Sequence, residues 1–249
     1  MMKDYNQKRC DLRRLVKTYY DLQYLHTRLN NRLGFKKDGS MQNIDDREFQ
    51  LTDYDKYIEI LDFADSRMNE MFKTIEKALS EFPVYTEWLI SITGIDVLMG
   101  GIICSEYDIY KMDTAANAIS FTGLAPGKDR LIKGQRSSFN QWLRSKMIGV
   151  LARGFIMSKS YYVKFYYNLH VPLLRREELG IGRLDVSESI YEKTGKMWKE
   201  ESEGHRSNYA KRYMIKMFLQ DLYVAWRTLE GLPVREPYSE EYLGKKHSE

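Results

Sequence analysis

The amino-acid sequence predicts an all-α fold: a long antiparallel coiled-coil helical hairpin, then a compact helical domain containing a helix-hairpin-helix-like element. Three observations predict it. Two segments carry apolar residues at alternating spacings of three and four, the seam of a coiled coil. A third, near the C-terminus, carries one apolar face and closes on Gly followed by Pro. Apart from a short ribbon that the basic loop after Pro126 could hold, no stretch shows the period-two alternation of a half-buried strand.

The first seam is Leu12, Leu15, Tyr19, Leu22, His26, Leu29 and Leu33, with Gly34 as its stop. The stretch Lys36 to Gln50 is polar and holds a turn signal at Asp38-Gly39-Ser40. The second seam is Tyr54, Tyr57, Leu61, Ala64, Met68, Met71, Ile75, Ala78 and Phe82, ended by Pro83. His26 reads as a half-buried packing residue, because no second ligand-type residue accompanies it at helical spacing.

Trp88 to Asp96 leads through a turn at Gly94 into the apolar run Val97 to Glu106, the helix-hairpin-helix-like pattern. Backbone N–H groups of such a turn can hold a phosphate oxygen, which makes Gly94 a candidate contact. A structural turn reads equally well there, with Asp96 as N-cap of the second helix. Lys111 to Phe121 is a short helix capped by Asp113 or Thr114, ended by Phe121-Thr122-Gly123-Leu124-Ala125-Pro126. Ser137-Ser138 reads as the N-cap of a helix running to Phe155. Residues 179–204 have little apolar content and read as an inserted loop. The last helix spans about Asn208 to Glu230, stopped by Gly231 and Pro233. The predicted division is 1–84 for the hairpin, 85–238 for the helical domain and 239–249 for a polar tail.

Composition narrows the class. Hydrophobic residues make up 43% and charged residues 30% of the 249, with 16 Gly and 5 Pro, a globular chain with a core. No apolar run approaches the roughly 18 residues of a membrane span, and no signal peptide opens the sequence. Cys10 and Cys104 are too few for a disulfide framework or a cysteine zinc site, so a reducing cytoplasm is the expected compartment.

The net charge of +4 conceals sorted blocks. Residues 1–37 carry ten Lys/Arg against three Asp/Glu, and residues 38–87 carry five against thirteen. Helices of opposite charge are expected to pair, within one chain or across a dimer. Residues 127–164 carry nine basic side chains against the single Asp129. A basic block holding Phe139 and Trp142 points to a polyanion partner; the bland alternative is a lysine-rich solvated face. Its candidate contacts are Lys128, Arg130, Lys133, Arg136, Asn140, Arg144 and Lys146. No nucleotide loop, paired-His metal motif or Ser-His-Asp order stands out. Glu87, Asp96, Glu106, Asp108 and Asp113 show no convergent spacing for two-metal chemistry and read as solvated surface. Ser137 and Ser138, flanked by Arg136 and Arg144, are the candidate nucleophiles, with a helix cap as the competing reading.

Several of these stretches together resemble a known family. Leu89 to Ile95, Phe121 to Pro126, Lys133-Gly134-Gln135-Arg136 and Asn140 to Arg144 look like the C-terminal transposase domain of the insertion-sequence 110/116/902 class. Lys211 to Leu219, Trp226-Arg227, Glu230 to Pro233 and Glu236-Pro237-Tyr238 are similar to the close of one branch of that class. The resemblance covers about residues 85–238, and a coil joining two domains agrees with it. It implies DNA transposition and recombination by a mobile-element enzyme: a serine attacks a DNA phosphodiester, carboxylate-bound metal assists, and a guide RNA chooses sites. DNA is thus the expected partner, a guide RNA a further candidate, and a homodimer or higher oligomer is expected through the coil. The chain departs from the pattern twice. It begins where the family's RuvC-like domain with its Asp-Glu-Asp-Asp carboxylates would have ended, so no cofactor is expected in this chain, and Mg2+ only with such a domain supplied in trans. The family's Ser-Gly pair also has no aligned counterpart, since Pro126 is followed directly by Gly127-Lys128. The expectation is a transposase-type DNA-binding protein, inactive alone; the alternative is a catalytically silent nucleic-acid-binding adaptor.

Overall fold

The computed structural model describes residues 2–33, 54–126, 133–170, 190–191, 196–197 and 202–235. The fold is all-α: the described residues hold eight α-helices and only a two-rung antiparallel pairing of Ile190–Tyr191 with Lys196–Met197. That pairing falls within the expected loop 179–204 rather than in the basic loop, whose residues 127–132 lie outside the described ones, as do Gly34 to Gln50 and the tail 239–249. No described helix is long and apolar enough to cross a membrane.

The chain forms two units, and their boundary differs from the expected one at 84/85. The first comprises residues 1–82 together with Val97–Glu106; the second comprises 83–96 and 107 onward. The two halves of the expected helix-hairpin-helix element therefore belong to different units.

In the first unit, α1 (Met2–Leu33) and α2 (Tyr54–Leu79) run antiparallel. Lys8 meets Glu81, His26 meets Asp65 and Leu29 packs with Leu61, so partner numbers fall as α1 numbers rise. The seam residues Leu12, Leu29, Leu61, Ala64, Ile75 and Phe82 are buried, while Leu15, Tyr19, Leu22 and His26 are half-buried. Val16, outside the predicted seam, is also buried because a third helix packs there. This helix, α3 (Val97–Glu106), is apolar on every side and buried from Met99 onward. A Cβ on Gly101 would lie 2.8 Å from Val16 Cγ2 and 3.2 Å from Ile75 Cγ2, so the absence of a side chain there lets α3 seat between the other two.

The carboxyl end of α3 is held by arginines of α1. Arg9 donates to the Ser105 and Glu106 carbonyls at 3.4 and 3.3 Å, and Arg13 donates to Ser105 O at 2.7 Å. Cations on the last carbonyls satisfy acceptors that a helix leaves open and complement its dipole. Glu106, read from sequence as a solvated carboxylate, is buried and ion-paired with Arg13 at 3.2 Å and Lys17 at 3.9 Å.

The second unit is built on α8 (Glu203–Leu229), capped by Ser202, whose hydroxyl accepts from His205 N–H. It starts about five residues before the expected Asn208. Its buried face runs through Ala210, Met214, Phe218, Leu222 and Trp226. Phe218 is the hub: it stacks on Trp88 at 5.9 Å and meets Phe155 and Tyr162 edge-on, each at 5.5 Å. Against α8 packs α7 (Val163–His170), not foreseen from the tyrosine-rich sequence, again antiparallel: Tyr162 bonds Asp221, Phe165 meets Tyr213 and Tyr166 bonds Ser207. Near the C-terminal end of α8, Arg227 donates to the Met112 and Pro233 carbonyls, and Tyr223 OH donates to Asp113 O. Tyr110 OH donates to Glu230 at 2.7 Å, and that bond pushes the phenol up to about 12.

Candidate nucleic-acid interface

The expected interface begins at the end of α4 (Ala115–Phe121), whose first turn is closed by Thr114 and Asn117. The motif Phe121-Thr122-Gly123-Leu124 is a helix stop of a definite kind. Gly123 N–H donates to Ser120 O and Leu124 N–H to Ile119 O, both at 2.9 Å, the paired bonds of a Schellman cap. Gly123 has φ +72, and a Cβ there would lie 2.5 Å from the Phe139 ring. Phe139 is buried against this turn, and Asn140 N–H donates to Phe121 O at 2.9 Å.

Asn140, rather than Ser137 or Ser138, caps the next helix. Its Oδ1 accepts from Leu143 N–H at 3.0 Å, and the helix begins at Gln141. The expectation that Ser137-Ser138 supply the cap is corrected by register: Phe139 must stay buried, which places the first polar residue after it at the N-cap. Three αR segments follow without a break: α5 (Gln141–Lys146), a widened π turn (Met147–Leu151) and α6 (Ala152–Met157). Gly94, the other expected phosphate contact, lies against α6: a Cβ on it would sit 2.7 Å from Ser158 Oγ, and one on Gly154 would sit 2.9 Å from the Gly94 carbonyl oxygen. Close backbone approach accounts for both glycines.

The predicted contacts separate into two groups. Lys133 and Arg136 are exposed, and Lys128 and Arg130 lie outside the described residues. Arg144 and Lys146 are half-buried and engaged: Arg144 donates to Gly123 O at 2.8 Å and lies 5.0 Å from the Phe139 ring centre, while Lys146 Nζ is 5.7 Å from that of Trp142. Arg144 therefore ties the Gly123 turn to α5. Ser137 is half-buried, its Oγ donating to Phe139 O at 2.8 Å and accepting from Phe139 N–H at 3.3 Å; Ser138 is exposed.

Basic residues absent from the predicted contacts complete the surface. Arg153, Lys159 and Lys164 are exposed. They fall inside the basic block, so its charge tally was the signal for them. After α6 the chain reverses at Ser158-Lys159-Ser160, where Lys159 has φ +54 and Ser160 N–H donates to Phe155 O at 3.0 Å. This is the cap seen at Gly123, with lysine where glycine is the relaxed choice. The reversal displays Tyr161 and buries Tyr162, whose OH donates to Asp221 at 2.8 Å. Burial, and then the Asp221 charge, hold the Tyr162 phenol proton well above its ordinary range, so Tyr162 is a fixed donor. No family model, curated protein or solved structure matches the chain.

Proposed function

We propose that the chain is a DNA-binding protein of the transposase or site-specific-recombinase type from a mobile element, gripping phosphates through 127–164 and self-associating through its hairpin. The observation that carries the reading is the sorting of charge: nine basic residues against one acidic over 127–164, of which Lys133, Arg136, Arg153, Lys159 and Lys164 are exposed. Exposed basic side chains are suited to displacing counterions from a phosphate backbone. The resemblance selects DNA, with a guide RNA as a further partner, and supplies the recombination chemistry.

Salt dependence tests this directly. Log affinity for duplex DNA is expected to fall linearly with log salt, by about 0.9 per phosphate contact. Reversing Lys133, Arg136 and Arg153 together to Glu should flatten the slope by about 2.7 and weaken all sequences alike. Arg144 is left intact because it holds the Gly123 turn. An unchanged slope would overturn the assignment.

Ser137 favours a second reading, a catalytically silent nucleic-acid-binding adaptor. Its hydroxyl is committed in both directions to the Phe139 backbone, and among the described residues no base bonds to it. Incubated with magnesium and DNA, the chain is expected to form no denaturation-resistant protein–DNA adduct. An adduct abolished by Ser137→Ala or Ser138→Ala would reject this reading and return the serine to the chemistry.

A further inference from the structure

The far end of the basic segment differs from the rest in carrying a displayed aromatic ring. Tyr161 is 66% exposed and its neighbour Tyr162 only 4%. The exposed ring is nonetheless held in place. It meets Tyr162 edge-on at 5.6 Å and Phe165 at 6.4 Å, both near 83°, and Lys164 Nζ lies 3.7 Å from its centre. With those contacts made, and Lys164 over one face of the ring, the residue still keeps most of its surface in water. Leading to it along the helix are exposed Val150, Arg153 and Met157, the last 73% exposed. Lys159 precedes it in a conformation that favours glycine, a local cost that sets a cation two positions before the ring. No acidic residue occurs between Lys133 and Lys164.

We propose that Tyr161, flanked by Lys159 and Lys164, is a stacking platform for an unpaired nucleobase, so that this end of the segment engages single-stranded nucleic acid. The inference rests on the phosphate grip proposed above and names its ligand more narrowly. A segment rich in cations and without carboxylates of its own favours a polyanion, although Asp221 of α8 bonds the neighbouring Tyr162. An exposed, braced ring adds a π face at low ordering cost, and base–aromatic stacking is tolerant of sequence. A duplex hides its base faces inside its own stack, so only an unpaired or flipped base can present one to Tyr161.

The test compares oligothymidylate with duplex DNA of equal length, using the full chain and fluorescence anisotropy. Tyr161→Ala is expected to weaken single-strand binding about tenfold or more and to shift duplex binding less than about twofold. Tyr161→Phe, which keeps the ring, should bind as the parent does. Far-UV circular dichroism checks that both variants fold; the site is exposed, so both should. Lys159→Gly removes the left-handed strain and a cation together. It should raise the Tm while lowering the single-strand salt slope by about 0.7. Equal losses on single strand and duplex, or none on either, would overturn the platform and leave the phosphate grip standing. Binding to anionic phosphatidylserine vesicles that Tyr161→Ala abolishes, with single-strand binding untouched, would instead assign this surface to a membrane. Absence of salt-dependent binding to either DNA would remove the underlying functional reading, a result distinct from failure of Tyr161 alone.

Discussion

Arg13→Ala should destabilise the three-helix unit by about 3–5 kcal/mol, more than Glu106→Ala, although the two substitutions break the same ion pair. The asymmetry follows from burial. The Glu106 side chain is 6% exposed, whereas Arg13 and Lys17 are 39% and 41% exposed. Without Arg13, the carboxylate stays in the interior facing Lys17 at 3.9 Å, and Ser105 O loses a 2.7 Å donor. Burial pulls the Lys17 ammonium below its ordinary range against the attraction of Glu106, and it lies farther from the carboxylate than Arg13 does, 3.9 against 3.2 Å. Without Glu106, the two cations turn to solvent, and the cost is expected near 1–2 kcal/mol, in the range of one lost charged hydrogen bond. The double variant should recover part of the Arg13→Ala loss, because the buried carboxylate that lost Arg13 is gone. Urea unfolding followed by circular dichroism reads all three. Equal losses for the two single variants would show that Glu106 reaches water more easily than its burial indicates.

This network also shows what the sequence left hidden. The spacing of Leu12, Leu29, Leu61 and Ile75 pointed to the stripes that α1 and α2 bury, because a three-four repeat puts apolar residues on one side of a helix. It did not foresee Val16, since a two-helix seam leaves that position outside, and only the third helix buries it. The run Val97 to Glu106 carried a usable signal, being apolar all round as a fully buried helix is. Arg9 and Arg13 were counted only in the basic charge of residues 1–37, expected to face the acidic second helix, yet they are end-caps for α3, reached across more than ninety residues of chain. Nothing local in a sequence announces such a partner. At the candidate interface, Ser137, Ser138 and Asn140 are all good capping residues, and the choice among them is made by where Phe139 must sit. The widening of the helix at Met147–Leu151 left no mark in the spacing. The basic block itself was legible in full, because charge is a property of composition and needs no packing to be counted.

Gly123→Ala should cost about 2–4 kcal/mol, whereas Gly231→Ala should cost only about 1 kcal/mol. The two glycines occupy the same position in the same kind of helix stop. Gly231 has φ +63, with its N–H on Thr228 O and Leu232 N–H on Arg227 O, repeating the bonds that Gly123 and Leu124 make at the end of α4. Both alanines therefore share the strain of a left-handed residue with a side chain. They differ in what the new methyl meets. At Gly231 nothing among the described residues beyond its chain neighbours lies within 4 Å, while at Gly123 the Phe139 ring is 2.5 Å away. The ring has little room to yield, being buried, faced by Arg144 and followed by Asn140, whose N–H is bound to Phe121 O. The difference between the two variants isolates that overlap from the backbone term. It carries a functional consequence as well, because a displaced Phe139 pulls on Asn140 and Arg144, which set the start of the helix that bears the basic residues. Gly123→Ala should therefore weaken the proposed DNA binding under conditions where the protein is still folded, and Gly231→Ala should not. Equal Tm losses for the two variants would mean that Phe139 moves freely, and that the Gly123 turn does not position the segment that follows it.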